Sequence, residues 1–326
     1  MPKIIFVVLT LLLFTDTSFA QSGIHPNCEK KSITSRCLNG HMFLLSEEMP
    51  SPFITSNLST RLGAGTSRIE FDQGLIKKLG LGKGIITVLT GENGYRFEIK
   101  AADWLGITSY LNSNAGLGFG AEAFLEFGAK ANFNFELGAK FKLFRNEKYY
   151  LTVATDFVAE SQANFTPNNG FSILLQEQTI SKEIFFRMVA LSSQMGSRLG
   201  LLGAMGVNEI FGVWANLSYK HLLLNRQNLG DFAGLVVIGS GQSIDLNKSI
   251  NFPLALLFTE QIDILISDVE HDFATLFFTG GIYYAGREDF SLGLNLSFKA
   301  LPLGEKNAST YVKSIGANIT ARYYFN

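Results

Sequence analysis

The segment Tyr311–Asn326 alternates without a break. Tyr311, Lys313, Ile315, Ala317, Ile319, Ala321, Tyr323 and Phe325 fall on one side, and Val312, Ser314, Gly316, Asn318, Thr320, Arg322, Tyr324 and Asn326 on the other. Successive side chains leave a pleated strand on opposite faces, so a period of two predicts a β-strand. Apart from Lys313, the first face is apolar in its middle and aromatic at its ends, while the second is polar or small. Tyr and Phe settle at the two interfaces of a membrane, so this pattern predicts a strand that crosses a bilayer within a barrel.

The segment also resembles the last strand of Gram-negative outer-membrane β-barrels, whose chains usually stop at an aromatic residue that the assembly machinery reads. Phe325 stands in that place, with Asn326 after it. The resemblance implies an all-β fold, a transmembrane antiparallel up-and-down barrel in the outer membrane. It also implies outer-membrane lipid and the barrel-assembly machinery as partners.

A barrel accounts for the composition. Mean hydropathy is +0.18 with 17% charged residues and 29 Phe, yet no run after residue 20 approaches the ~18 apolar residues of a membrane helix. Alternate residues facing lipid raise the apolar content without producing a long run. A net charge of −1 gives no reason to expect nucleic acid as a partner.

The chain opens Met1-Pro2-Lys3, stays apolar from Ile4 to Phe14 except for Thr10, and reaches Ser18-Phe19-Ala20. This is the layout of a signal peptide, so residues 1–20 are expected to be removed after Ala20. Residues 21–52 are polar, carry Pro26, Pro50 and Pro52, and form a periplasmic extension. Two readings of it are open: a plug in the barrel mouth, or a plain lead into the first strand, which is the simpler. Cys28 and Cys37 are expected to form a disulfide, as close cysteines in an exported chain do. They lack the Cys-x-x-Cys spacing of a metal site, and no metal or cofactor is expected.

Residues 53–326 read as the barrel. Strands are expected at Phe53–Gly63, within 85–101, and at 104–113, 131–144, 148–158, Leu191–Gly206, Ile210–Leu222, Phe232–Ser243, Ser249–Glu260, Phe273–Tyr284, Phe290–Ala300 and in the final segment. That makes twelve, with ten or fourteen open. Residues 117–143 alternate too long for one crossing, so either Gly128-Ala129-Lys130 is a hairpin loop or, the preferred reading, 114–130 is an excursion. Residues 159–170 read as a surface loop, and 75–79 and 171–188 as helical loop pieces. Pro253 predicts a bulge inside its strand. Short and long links alternate over the last seven strands, as periplasmic turns and extracellular loops do.

The face opposite the lipid gathers Arg96, Glu98, Lys100, Glu136, Lys140, Lys142, Asp156, Arg198, Lys220, Lys299 and Arg322. Such a lumen either sets ion or solute preference or pairs its charges across a filled interior. Basic residues outnumber acidic ones here, which predicts a weak preference for anions. His221 and His271 are poor catalytic candidates, and no nucleophile–base spacing or hydrolase motif is present. The expectation is a channel or transporter for small solutes, the solute itself unread. A closed structural or surface-binding barrel is the alternative, and a lipid hydrolase a distant third, since it needs a Ser–His pair on the outer wall.

Overall fold

The computed structural model describes residues 36–70, 85–120, 124, 128–165, 189–224, 232–247, 252–267, 273–303 and 310–325. Two short strands come first, β1 (Cys37–Leu38) and β2 (His41–Met42). Twelve long ones follow: β3 (Asn57–Glu70), β4 (Ile85–Ala102), β5 (Leu105–Gly118), β6 (Ala129–Arg145), β7 (Tyr149–Phe165) and β8 (Val189–Gly206). The rest are β9 (Phe211–Leu224), β10 (Phe232–Asp245), β11 (Leu254–Ser267), β12 (Phe273–Tyr284), β13 (Phe290–Leu303) and β14 (Thr310–Tyr324). Each of the twelve pairs antiparallel with its sequence neighbours, and β14 closes on β3 from Tyr311↔Glu70 to Tyr324↔Asn57. The result is a closed twelve-stranded barrel.

Side-chain parity fixes which wall faces out. On β13, Leu292, Leu294, Leu296 and Phe298 are exposed while Ser291, Gly293 and Asn295 are buried. On β14, Ile315 and Ile319 are exposed at 63% and 55%. A wall this apolar and this exposed suits hydrocarbon rather than water. Aromatic rings gather at the end where the links are short. Phe97 stacks on Phe325 at 6.1 Å, Tyr323 on Phe325 at 6.5 Å, and Trp104 on Phe141 at 6.4 Å.

Several strands are longer than expected. β7 runs on to Phe165 although its outward face shrinks to Ala159, Ser161 and Ala163, and β11 runs on to Ser267 with Ile262, Ile264 and Ile266 keeping the alternation. Likewise β5 reaches Gly118 and β6 begins at Ala129, so the excursion is confined to 119–128 rather than 114–130. Pro253 lies just before β11, where its carbonyl accepts from the Ala285 N–H, and there is no bulge at that point. The helical pieces expected at 75–79 and 171–188 lie outside the described residues, as do residues 1–35 and the cleavage site.

Candidate functional site: the lumen and its plug

Residues 36–56 do not lead plainly into the first strand. They fold back inside the barrel at the short-turn end. Asn39 and Gly40 hold φ of 49° and 77°, the two left-handed positions of a type I′ turn, and join β1 to β2 as a minimal hairpin. Leu38, Phe43, Leu44, Leu45, Met49 and Phe53 then pack with wall residues Tyr150, Trp214, Leu257, Tyr283 and Tyr324 in one apolar cluster. The rings form a chain. Phe43 lies 4.7 Å from His41, 5.0 Å from Phe53 and 6.4 Å from Trp214, and Phe53 lies 5.0 Å from Tyr150. The wall leaves room for them at Gly212, where a Cβ would stand 2.4 Å from the His41 ring and 2.5 Å from that of Phe43.

Wall side chains satisfy the plug's backbone. Thr152 donates to the Pro52 carbonyl at 2.9 Å, Lys140 to that of Phe53 at 3.3 Å, and Arg96 to that of Met49 at 3.2 Å. The Thr55 N–H donates to Glu98 at 3.2 Å. Arg36 stacks on Tyr324 at 3.6 Å and donates to the carbonyls of Phe43 and Glu288. A segment without a long strand or a described helix is thereby paired at depth, as buried backbone requires.

Above the apolar layer lies an ionic one. Glu47, 4% exposed, takes Arg322 directly and faces Arg96 at 4.0 Å. Glu48 holds Arg61 at 2.5 Å, and Glu92 approaches the same guanidinium at 3.6 Å. Around the wall Lys140 pairs with Glu98 at 2.8 Å, Arg198 with Glu136 at 2.8 Å and Asp156 at 2.9 Å, and Lys220 with Glu160. Burial alone would raise the Glu47 carboxyl, but Arg322 and Arg96 outweigh it and hold the group at about 2. Most of the expected lumen charges therefore pair across a filled interior.

Beyond this layer, toward the long links, a chamber of about 730 Å³ opens. Its floor is Glu47, Glu48, Met49 and Pro50, and its walls include Arg61, Arg96, Arg198, Lys130, Lys299, Glu92, Glu136 and Asp263. Among the described residues that line it, five basic groups meet five acidic ones, so the expected excess of positive charge does not appear there. The plug supplies two of the missing carboxylates.

Of the expected lumen residues, Arg96, Glu136, Arg198 and Lys299 line the chamber, and two others, Lys100 and Lys142, sit at the short-turn rim. Lys100 sits on the short-turn rim, 2.5 Å from Asp103, with its side chain 39% exposed. Lys142 stands where β6 shifts register against β7, its N–H bonded to the Trp104 carbonyl at the same rim. Nor do Lys299 and Arg322 share one field. Lys299 stands opposite Ser314, eight residues from Arg322 along β14, or about 26 Å. Lys299 lies instead over the Phe277 ring at 4.6 Å.

The outer wall carries two polar pairs that escape one-dimensional reading. Ser197 on β8 stands directly opposite His221 on β9, both on the outward parity. The outward neighbours of His221 in register and along its strand are Gly234, Tyr219 and Leu223, none with an orienting carboxylate or amide. On β11, Glu260 accepts a 2.7 Å hydrogen bond from Ser240 of β10, between the outward Phe258 and Ile262. No cluster suited to a metal ion occurs among the described residues.

No protein-family model matches the sequence, and no curated protein does. Solved structures do match the fold. An outer membrane channel from Pseudomonas putida F1 superposes with a TM-score of 0.53 over 87% of this chain and 100% of its own, at 9% identity. The translocator domain of autotransporter NalP from Neisseria meningitidis reaches 0.47 over 83% and 89%, at 14% identity. The Pseudomonas putida toluene transporter TodX reaches 0.45 over 90% and 98%, at 11% identity. The chain has the fold of outer-membrane barrels.

Proposed function

We propose that this chain is a bacterial outer-membrane channel for small polar solutes, closed from the short-turn side by residues 36–56. One observation carries the reading: a chamber of about 730 Å³, with charged and amide side chains in its lining, that ends on a plug rather than on wall side chains. A barrel built only as a scaffold has no use for a compartment floored by a separate segment. The outer membrane channel from Pseudomonas putida F1 lends support as a protein of the same fold. With balanced charges in the chamber, little ion preference is expected.

Conductance in a planar bilayer tests this. Wild-type protein should give small or rare openings, and deletion of residues 21–52 should give large, stable ones with a reversal potential near zero in a salt gradient. Silence from both proteins, each still shifting on heating in a gel as folded barrels do, would favour the closed structural barrel instead.

The same reading places the short-turn end in the periplasm, with the signal peptide cleaved after Ala20 and the strand ending at Phe325 read by the assembly machinery. Cys37 opens β1 at the plug's outer end, while Cys28 lies outside the described residues. A Cys28–Cys37 bridge would close a loop just outside the barrel and stiffen the start of the plug. Mass spectrometry of unreduced mature protein should find one disulfide, and two alkylatable thiols would count against it.

A further inference from the structure

We propose that the chamber wall formed by β5 to β8 is a binding surface for neutral polyhydroxylated solutes, that is, carbohydrates. Two adjacent inward rows of the sheet carry it. Asn112 stands opposite Asn134, and Asn114 opposite Asn132. The second row continues through Gln162 to Ser192, and Gln194 stands at the β8 end of the first. Six carboxamides and one hydroxyl thus cover a recess of about 290 Å³ beside the main chamber.

These amides are not spent on one another. Among the described residues, no hydrogen bond joins Asn114, Asn132 or Gln194 to any other side chain, and the buried Asn134 Oδ1 has no partner. The contacts that exist are edge contacts: Gln162 to Asn164 at 3.1 Å, Asn134 to Glu136 at 3.4 Å, and Arg61 to Asn112 at 3.4 Å. The one carboxylate in these rows, Glu160, is held by Lys220.

Chemistry then selects the occupant. An ion meets no net opposite charge on this wall. A hydrocarbon would strip water from six amides and leave them unpaired, at about 1–3 kcal/mol each. A hydroxyl both donates and accepts, as each carboxamide does, so a polyol replaces the water bond for bond. Strands about 4.8 Å apart repeat the amides on the scale of a pyranose ring, which suits a sugar chain lying across the strands.

The inference rests on the reading of the chamber as a solute compartment, and the test separates the two. Purified full-length protein, in an amine-oxide detergent that carries no sugar, is titrated with maltotriose by calorimetry. Saturable binding is expected. Asn114→Leu with Asn132→Leu removes two hydrogen-bonding positions and should weaken it about tenfold or more. Asn93→Leu is the same change on the outward parity and should leave binding unaltered. Each variant is first checked for the heat-dependent gel shift. If the inner pair does not fold, wild-type protein still decides, since sodium citrate bound more tightly than maltotriose overturns the assignment. So does the absence of saturable binding in a protein that conducts, which leaves the channel standing. Binding without conductance removes the channel and keeps the site.

Discussion

Glu47→Leu is expected to loosen the plug by about 3–5 kcal/mol, since removing one partner of a buried ion pair strands the other. Arg322, 2% exposed, would keep only the Ser46 carbonyl at 3.3 Å and the Tyr324 hydroxyl at 3.4 Å. Arg96 would lose its carboxylate as well. The double change Glu47→Leu, Arg322→Met should recover much of the loss, because apolar groups of similar volume often replace a buried pair without penalty. Limited proteolysis after residue 36 reads the difference, and equal cleavage of single and double variants would show that the pair is not what holds the segment.

Acid should act on the same bond. The Glu47 carboxyl lies near 2 in the folded barrel, against an ordinary 4.5 when released. A depressed carboxyl stabilises fully above its unfolded value and loses that contribution as pH falls through the window from about 4.5 to about 2. Protease sensitivity of the plug should stay flat from neutral pH down to about 5 and rise below it. In Glu47→Leu this rise should be smaller.

Leu294→Arg should cost about 2–4 kcal/mol, the penalty of a cation near the bilayer midplane. Leu294 is 57% exposed on the outer wall, opposite Ile282 and Ile319, which are exposed at 53% and 55%. The matching inward change belongs at Ser297→Arg, which faces the chamber and should cost far less. Asn295, next to Leu294 on the opposite parity, is the wrong control. It is 3% exposed and donates to Asn318 at 2.9 Å and Thr320 at 3.1 Å, so an arginine there would break a packed network. Refolding yields into lipid vesicles measure both, and equal losses at 294 and 297 would overturn the assignment of the two walls.

Parity was legible in the sequence because it is local. The alternation of 290–300 and 312–325 places every outward residue of β13 and β14 within those spans correctly. The count of twelve follows as well, since each strand needs only its own pattern. Strand ends were less legible: small residues at Ala159, Ser161 and Ala163 weaken the outward face of β7, whereas β11 keeps its alternation through Ile262, Ile264 and Ile266 to Ser267. The plug was only one of two readings, for a different reason. Its residues look like a polar leader, and their partners lie far along the chain: Glu47 with Arg322, Leu44 with Ser243. One signal was available: Asn39-Gly40 between Leu38 and His41 has the two-residue turn chemistry of a hairpin. The carboxamide wall was equally visible as residue types in β5 and β6. Only the register brings the rows together.

The plug runs straight into β3, the strand on which the barrel closes. Its last link, the Ser56 carbonyl, accepts from the Phe325 N–H at 3.0 Å, so the segment enters the wall beside the end of β14, at the closing seam. A segment tethered this way is fixed as a door is to its frame rather than seated as a loose cork: displaced, it would stay attached at residues 56 and 57. Arg36 ties the other end of the segment to the same place, since it stacks at 3.6 Å on Tyr324, the residue opposite Asn57.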